Sequence, residues 1–183
     1  MSRERLARGA ESVASMSALS SKSSAFASLA LASMLLAGCA GEPTRISPGT
    51  ERAAALQQLG APSATYRLQG GGERLQYSRA PAGFEVNNVD LDAAGRVVSV
   101  RQELDERLFD RTVKPGVWRE ADVLRTYGRP YDITRVTSFD GVIWSWRYKS
   151  MNTPRLLYIY LDPAGVVQRY HTGDDLTLDL INR

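Results

Sequence analysis

Few residue types that could carry out chemistry occur near one another in this sequence. The one histidine, His171, stands in the run Tyr-His-Thr-Gly-Asp-Asp, in which Asp174 and Asp175 follow it closely. An imidazole and two carboxylates could bind a metal ion or assist a serine, but one histidine with carboxylates near a chain end is a weak ligand set. We expect the end of a strand followed by a turn, with no metal and no catalytic residue.

Two glycine-containing runs have only a superficial likeness to ion or phosphate loops. Residues 90–95, Asp-Leu-Asp-Ala-Ala-Gly, place carboxylates as a calcium loop does, but the third acidic position is Ala94 and no glutamate follows where one is needed. The run Gly70-Gly71-Gly72 lacks the Lys-Ser/Thr pair and the helix that follow a phosphate loop. We therefore predict turns at both places, no cofactor and no enzymatic activity.

The single cysteine has a specific chemical setting. Cys39 ends the run Leu36-Ala37-Gly38-Cys39, which follows an apolar stretch at 25–37 and upstream basic residues. That stretch is shorter than the ~20 residues that span a bilayer and is typical of a secretory signal. The run resembles the lipobox of bacterial lipoprotein signals, in which the cysteine thiol accepts diacylglycerol. We expect residues 1–38 to be a signal peptide and Cys39 to be the lipidated first residue of the mature chain.

Lipid on Cys39 predicts a membrane location. Each buried methylene contributes about 0.8 kcal/mol, so two or three acyl chains such as palmitate hold a protein stably on a bilayer. Residue 40 is alanine and not aspartate, which by resemblance to sorted lipoproteins indicates the outer membrane, facing the periplasm. Residues 39–49 contain Gly41, Pro43 and Pro48 and are predicted to be a short tether.

The balance of charge excludes a basic nucleic-acid surface. The chain has 23 basic and 20 acidic residues, and the predicted signal holds Arg3, Arg5, Arg8 and Lys22 against only two acids. The remainder is nearly neutral and shows no basic stripe, so we expect no nucleic-acid partner. Its composition, with 43% hydrophobic and 23% charged residues, is typical of a globular domain.

Two motifs recur in the same order and with nearly the same spacing. Gly60-Ala61-Pro62 is followed by Gly128-Arg129-Pro130, and Leu-Asp-Ala-Ala-Gly-Arg-Val at 91–97 is followed by Leu-Asp-Pro-Ala-Gly-Val-Val at 161–167. The alternative is a chance likeness between two small α+β units. A duplication predicts repeat 1 at 50–102, a linker at 103–115, repeat 2 at 116–175 and a tail at 176–183.

Each copy has the pattern of a helix followed by antiparallel strands. Thr50 is predicted to cap a helix at 51–59 that Gly60 ends, and the second helix is predicted at 117–127. Alternation predicts strands at 66–68, 75–77, 84–91, 96–101, 133–139, 142–148, 156–161 and 166–170, and a further one at 176–181. We expect an α+β fold with two tandem repeats, each a helical segment packed on a 3–4-stranded antiparallel sheet.

Aromatic residues concentrate in the second copy. Trp144, Trp146 and Tyr148 alternate along one predicted strand and share a face, whereas Tyr158 and Tyr160 alternate along the next. If the helix covers the aliphatic residues, the aromatic face is exposed and suits a protein partner, because such side chains dominate binding hot spots. In the other interpretation the rings are ordinary core. These five residues are the candidate partner contacts.

The combined motifs resemble a known family. A lipobox, the run Leu56-x-x-Leu59-Gly60-x-Pro62, aromatic strands ending near Tyr77 and Tyr148, and the two Leu-Asp-x-Ala-Gly-x-Val turns resemble the BamE/SmpA/OmlA outer-membrane lipoproteins over residues 47–172. The shape is also similar to that of beta-lactamase inhibitor proteins, which carry it in tandem. The resemblance implies a non-catalytic, lipid-anchored binding or scaffold module in envelope integrity or outer-membrane β-barrel assembly, with assembly components as partners. The alternative is a periplasmic inhibitor or ligand-binding protein.

Overall fold

Short helices and eight strands are formed by residues 41–176, the part of the chain that the computed structural model describes. The helices are α1 (Arg52–Leu59), α2 (Glu106–Thr112) and α3 (Glu120–Tyr127), and 3-10 turns occur at Pro43–Arg45 and Gln69–Gly71. The strands are β1 (Ala64–Arg67), β2 (Glu73–Ser78), β3 (Val86–Leu91), β4 (Val97–Gln102), β5 (Asp132–Thr134), β6 (Val142–Ser150), β7 (Thr153–Leu161) and β8 (Val167–Asp174). Among residues 41–176 no helix has the length and apolar character needed to span a bilayer.

The strands form two antiparallel sheets, and in each sheet every strand pairs with the next one along the chain. The orders are β1-β2-β3-β4 and β5-β6-β7-β8. Connections as short as these join antiparallel neighbours, because a parallel neighbour needs a crossover of a dozen residues or more. The fold is therefore α+β with two four-stranded sheets, as the helix-then-strands pattern predicts.

Helix α1 covers one face of the first sheet. Its buried residues Ala55 and Leu59 are four positions apart and so lie on one side of the helix, where they pack with Leu75 of β2 and Val89 of β3. Gly60 follows with a φ of 78°, a conformation that glycine adopts without strain, and this ends the helix as predicted.

The predicted cap of α1 is wrong. The Thr50 hydroxyl donates a hydrogen bond to the Ser47 carbonyl oxygen and does not accept one from a helix amide. Glu51 occupies the N-cap position, and its side chain makes no capping bond. Threonine next to a turn can bond backward as readily as forward, so its type alone did not decide the cap.

The segment 103–115, predicted to be a charged linker, contains helix α2. The Asp105 carboxylate caps the helix by accepting a hydrogen bond of 3.0 Å from the Arg107 amide. Phe109 is the buried residue of α2 and packs with Leu104 and Val113 in the larger core. The segment is therefore part of the folded core and not a free connection.

Helix α3 packs one side against the second sheet. Val123 and Tyr127 are fully buried against the residues of β6 and β7. The helix begins at Glu120, later than predicted, because residues 114–118 form a turn in which the Val117 and Trp118 amides bond to the Lys114 carbonyl.

Strand β5 is shorter than predicted and its residues are exposed. The alternation at 133–139 predicts a long strand, but pairing with β6 stops at Thr134 and residues 135–141 form the connection. Ile133 and Val136, which produced the alternating pattern, are 53% and 43% exposed. The alternating pattern at 133–139 therefore does not correspond to a buried face at this edge of the sheet.

Candidate functional site

The predicted lipidation residue, Cys39, and the predicted signal peptide lie outside the described residues, as does most of the predicted strand at 176–181. The chain is fixed to the domain two positions after Cys39, where the Gly41 amide donates a hydrogen bond of 2.7 Å to the Gln58 carbonyl. Pro43 and Ile46 are buried, and Ile46 joins the core under α1. The described part of the predicted tether is therefore packed on the domain.

Three candidate partner contacts share one face of β6, as predicted, but that face is buried. Trp146 and Tyr148 have no exposed surface, and Trp144 is 8% exposed. The Phe109 ring of α2 meets Tyr148 edge-on at 5.2 Å, and the Tyr127 ring of α3 lies 5.8 Å from Trp146. The expectation of an exposed face is wrong for these residues, and the core interpretation is correct for them.

The register between β6 and β7 explains why this face is buried. Trp144 pairs with Ile159 and Trp146 with Leu157. Residues directly opposite each other in an antiparallel pair project to the same face. The aliphatic row of β7 and the tryptophan row of β6 therefore form one surface, so the helices that cover the first also cover the second.

The two remaining candidates, Tyr158 and Tyr160, lie on the opposite face of the second sheet. Tyr158 stacks on His171 with ring centroids 4.7 Å apart and an interplanar angle of 14°. The Arg169 guanidinium lies 3.9 Å from the centroid of the Tyr160 ring. We call these four residues the outer cluster. Its two β8 members are exposed and Tyr158 is half-buried. Tyr160 is only 8% exposed, so the expectation of exposure is wrong for this residue as it is for Trp144.

The surroundings of His171 favour its neutral form. Burial lowers the pKa of the imidazole, and the positive charge of Arg169 lowers this pKa further. Burial also raises the pKa of the Tyr158 hydroxyl. The stacked pair therefore presents two uncharged rings at neutral pH, beside one permanent positive charge.

The structure does not assemble a metal site from His171, Asp174 and Asp175. The Asp175 carboxylate lies 2.8 Å from the Arg147 guanidinium, and Asp174 lies 3.6 Å from Arg155. Within residues 41–176, no group of three or more histidine, cysteine or acidic side chains is arranged to hold a metal ion. His171 belongs to the stacked aromatic group instead.

The segment that has a likeness to a calcium loop is a hairpin turn, as predicted. The Asp92 Oδ1 atom accepts hydrogen bonds from the Ala94 and Arg96 amides, each 2.9 Å long. The Asp90 carboxylate faces away and forms an ion pair with Arg74 at 2.6 Å. The Asp92 carboxylate thus stabilises the turn, and the Asp90 carboxylate belongs to an ion pair.

A buried polar contact that sequence reasoning missed joins the first sheet to the end of α3. The last carbonyls of a helix have no partner within the helix and need donors from elsewhere. Gln76 Nε2 donates to the Leu124 and Arg125 carbonyls at 3.2 and 3.1 Å, and Asn88 Nδ2 donates to the Thr126 carbonyl at 2.9 Å. Both amide side chains are 1% exposed. These bonds fix α3 between the two sheets.

Further donors strengthen this contact, which we call the helix-end network. The Tyr66 hydroxyl donates to the Leu124 carbonyl at 3.2 Å, and Arg74 donates to the Arg125 carbonyl at 3.3 Å. Buried Glu103 accepts from Asn88 at 3.3 Å and orients its amide. Polar residues at alternate positions of β2 were the available signal, but alternation of this kind also describes a face in water.

Two shallow grooves also occur on the described surface. One of about 440 Å³ is lined by Arg135, Phe139 and Asp162, among others. The second, of about 600 Å³, is lined by residues that include Leu104, Lys149 and Met151. Neither groove contains the outer cluster.

The sequence matches no family model and no curated protein. Among solved structures, the chain is similar to a crystal structure of a DUF4309 family protein, YjgB, from Bacillus subtilis. The identity is 9% and the TM-score is 0.29, over 69% of this chain and 79% of that chain.

Proposed function

We propose that this protein is a lipid-anchored, non-catalytic binding module on the periplasmic face of the outer membrane. In this proposal Cys39 carries the lipid, and the partner is an envelope protein that contacts the outer cluster. The observation that carries the binding role is the outer cluster itself, in which two exposed side chains are held against two tyrosine rings.

The arrangement of the outer cluster suits a protein contact. Tyrosine and arginine are enriched in the few residues that dominate binding energy. His171 and Arg169 are already held by ring contacts, so little side-chain freedom is lost when a partner binds. A partner surface that combines an apolar or aromatic group with a carboxylate would complement the rings and the guanidinium.

The anchoring role is supported by the order of features along the chain. The lipobox ends at Cys39, and by Gly41 the backbone is already bonded to the domain. A lipidated cysteine at this position would hold the folded domain directly at a membrane, with almost no spacer between them.

We also propose that the two halves are tandem copies of one unit of the BamE/SmpA/OmlA type. The support is a set of backbone bonds that recur in both halves and tie the start of a helix to the last hairpin of the same half. In the first matched pair, the Gly49 amide donates to the Val97 carbonyl and the Gly116 amide to the Val167 carbonyl, both at 2.7 Å. In the second, the Arg52 amide donates to the Gly95 carbonyl at 2.9 Å and the Glu120 amide to the Gly165 carbonyl at 3.0 Å.

The binding role is tested by photocrosslinking in cells. A photoreactive amino acid replaces His171 in the full-length protein, and a matched control carries it at Val117, which is 73% exposed and outside the outer cluster. We expect a specific adduct with a β-barrel assembly component from position 171 and none from position 117. An adduct with one periplasmic enzyme instead favours the inhibitor alternative.

Absence of a specific adduct from position 171 and from a second probe at Arg169 would contradict the binding role. The anchor is tested separately by fractionation of a Cys39→Ala variant. If that variant still sediments with outer membranes, the lipid on Cys39 is not what holds the protein there.

A further inference from the structure

Three segments that are far apart in the sequence meet at one end of the domain. Glu42, three residues after Cys39, forms an ion pair with Arg79 at 3.3 Å. Arg79 begins the connection between β2 and β3, and in that connection the Phe84 ring lies 5.1 Å from the Lys149 ammonium. Lys149 is close to the turn between β6 and β7. We call this end, with residues 41–42, 79–85 and 149–152, the tether end.

The length of chain between Cys39 and the domain limits where a bilayer can lie. Two peptide bonds separate the Cα atoms of Cys39 and Gly41, so these atoms are no more than about 7.6 Å apart. Gly41 is fixed by its bond to the Gln58 carbonyl. A lipid on Cys39 would therefore keep Gly41, and with it the tether end, close to the headgroups of its own leaflet.

An apolar side chain is held outward at this end. Met151 is 98% exposed, the highest value among the large hydrophobic residues of the described part. It lies at the tip of the β6–β7 turn with a φ of 46°, and Asn152 follows with a φ of 65°. Turns of this kind favour asparagine and glycine, so neither the turn conformation nor packing within the domain accounts for a methionine here.

The neighbours of Met151 match the chemistry of a phospholipid surface. Lys149 is exposed, and its ammonium can reach headgroup phosphates while its stem stays on the Phe84 ring. Phe84 is half-buried, and Pro81 in the same connection is exposed. Acidic Glu42 and Glu85 share Arg79, so within the tether end their second negative charge is offset only by Lys149. Asp105 and Glu106 line the groove beside Met151, and Asp105 pairs there with Arg107.

We propose that the tether end docks on the membrane that carries the lipid of Cys39, with Met151 and Phe84 in the interfacial layer and Lys149 at the phosphates. This inference rests on the proposed anchor. Docking would fix the orientation of the domain on the membrane. The outer cluster and the end of the domain opposite the tether end would then face the periplasm in one orientation.

The test uses the lipidated protein with a spin label. Cys39 is the only cysteine of the chain, and lipid blocks its thiol, so Met151→Cys supplies a single labelling site. Val117→Cys is the matched control. It is exposed and lies where the Gly116 amide bonds to Val167, at the start of β8, about 24 Å along that strand from the tether end. Both proteins are reconstituted into vesicles of phosphatidylethanolamine and phosphatidylglycerol.

We expect vesicles to raise the collision rate of the label at 151 with oxygen and to lower it with a water-soluble nickel chelate, with no change at 117. If the label at 151 is as accessible to nickel in vesicles as it is in detergent-free buffer, the docking is overturned. An equal change in accessibility at positions 151 and 117 also overturns it. Mass spectrometry of the same samples reports the lipid on Cys39. Failure of the anchor is thus distinguished from failure of the docking.

Discussion

The side-chain amide of Asn88 donates a hydrogen bond of 2.9 Å to the backbone carbonyl of Thr126. The first residue lies in the third strand of the chain, and the second lies in the last turn of α3. This bond, together with those of Gln76, satisfies the end of a helix with donors from a different sheet. The contact between the two halves therefore includes specific polar bonds beside the apolar packing of Val86.

Replacement of Asn88 by alanine is expected to destabilise the whole domain. The Thr126 carbonyl would lose its donor in a buried place, which costs about 1–3 kcal/mol in the free energy of unfolding. Urea denaturation followed by circular dichroism measures this change. Ser99→Ala, at an exposed position of β4, is the matched control and should stay within about 0.5 kcal/mol of the wild type.

The second prediction concerns the buried tryptophan row. Trp146→Ala removes a fully buried indole that contacts Tyr127, and we expect a loss of about 3–5 kcal/mol in stability. Thermal and urea melts of Trp146→Ala and the milder Trp146→Phe give the cost. An unchanged melting point in Trp146→Ala would contradict the core assignment. Val117→Ala controls for loss of an exposed apolar side chain.

The third prediction is the titration of the single histidine. Its ring protons give one signal set in a proton NMR spectrum, so the pKa of His171 can be read without ambiguity. We expect a midpoint below 6.5, because burial and Arg169 both disfavour the imidazolium. Arg169→Gln should move the midpoint upward. A midpoint above 6.5 in the wild type would argue against the stacked environment.

The same shift has a consequence for stability. The folded protein holds the imidazole with a pKa below that of the unfolded chain, so the unfolded state binds more protons in the interval between the two values. The contribution of His171 is present above pH 6.5 and is lost as the pH falls through the folded pKa. His171→Gln should flatten this part of the stability profile. The measurement is the melting temperature between about pH 7.5 and about pH 5, a range that brackets the ordinary pKa of histidine.

The fourth prediction compares the two hairpin turns. Asp92 and Asp162 each accept hydrogen bonds from two turn amides through Oδ1. If the halves are copies, Asp92→Ala and Asp162→Ala should cost similar amounts, about 0.5–1.5 kcal/mol for each bond lost at a surface. Asparagine at either position keeps an acceptor and should cost less. A neutral result at one turn with a clear loss at the other would argue against equivalence.

The parts of the fold that depend on local signals could be predicted from the sequence. Gly60 and Gly128 end helices because their φ values of 78° and 67° suit glycine, and the aspartates of the two turns bond to amides only two and four residues away. Such features need no knowledge of distant residues. The order of the strands in each sheet is also a local feature, because each hairpin joins two strands that are neighbours in the sheet.

Features that depend on distant partners could not be predicted in this way. Helix α2 has one buried residue, Phe109, in seven positions, so it shows no apolar periodicity, although Asp105 was a usable capping signal. The burial of Gln76 and Asn88 could not be predicted, because their partners come from a helix that lies far along the chain. The burial of Trp146 depended on the register of β6 against β7.

The helix-end network also has a consequence for how the chain is made. Synthesis proceeds from the N-terminus, so the first sheet, which ends at Gln102, is complete before α3 at Glu120–Tyr127 exists. During that interval the face that later receives the helix is open to water. This face carries amides and a guanidinium beside aliphatic Val86, so the first sheet presents less apolar surface to water than an all-aliphatic face would before the helix docks. The same polar groups that bind the helix therefore reduce the apolar surface of the first half before the helix is in place.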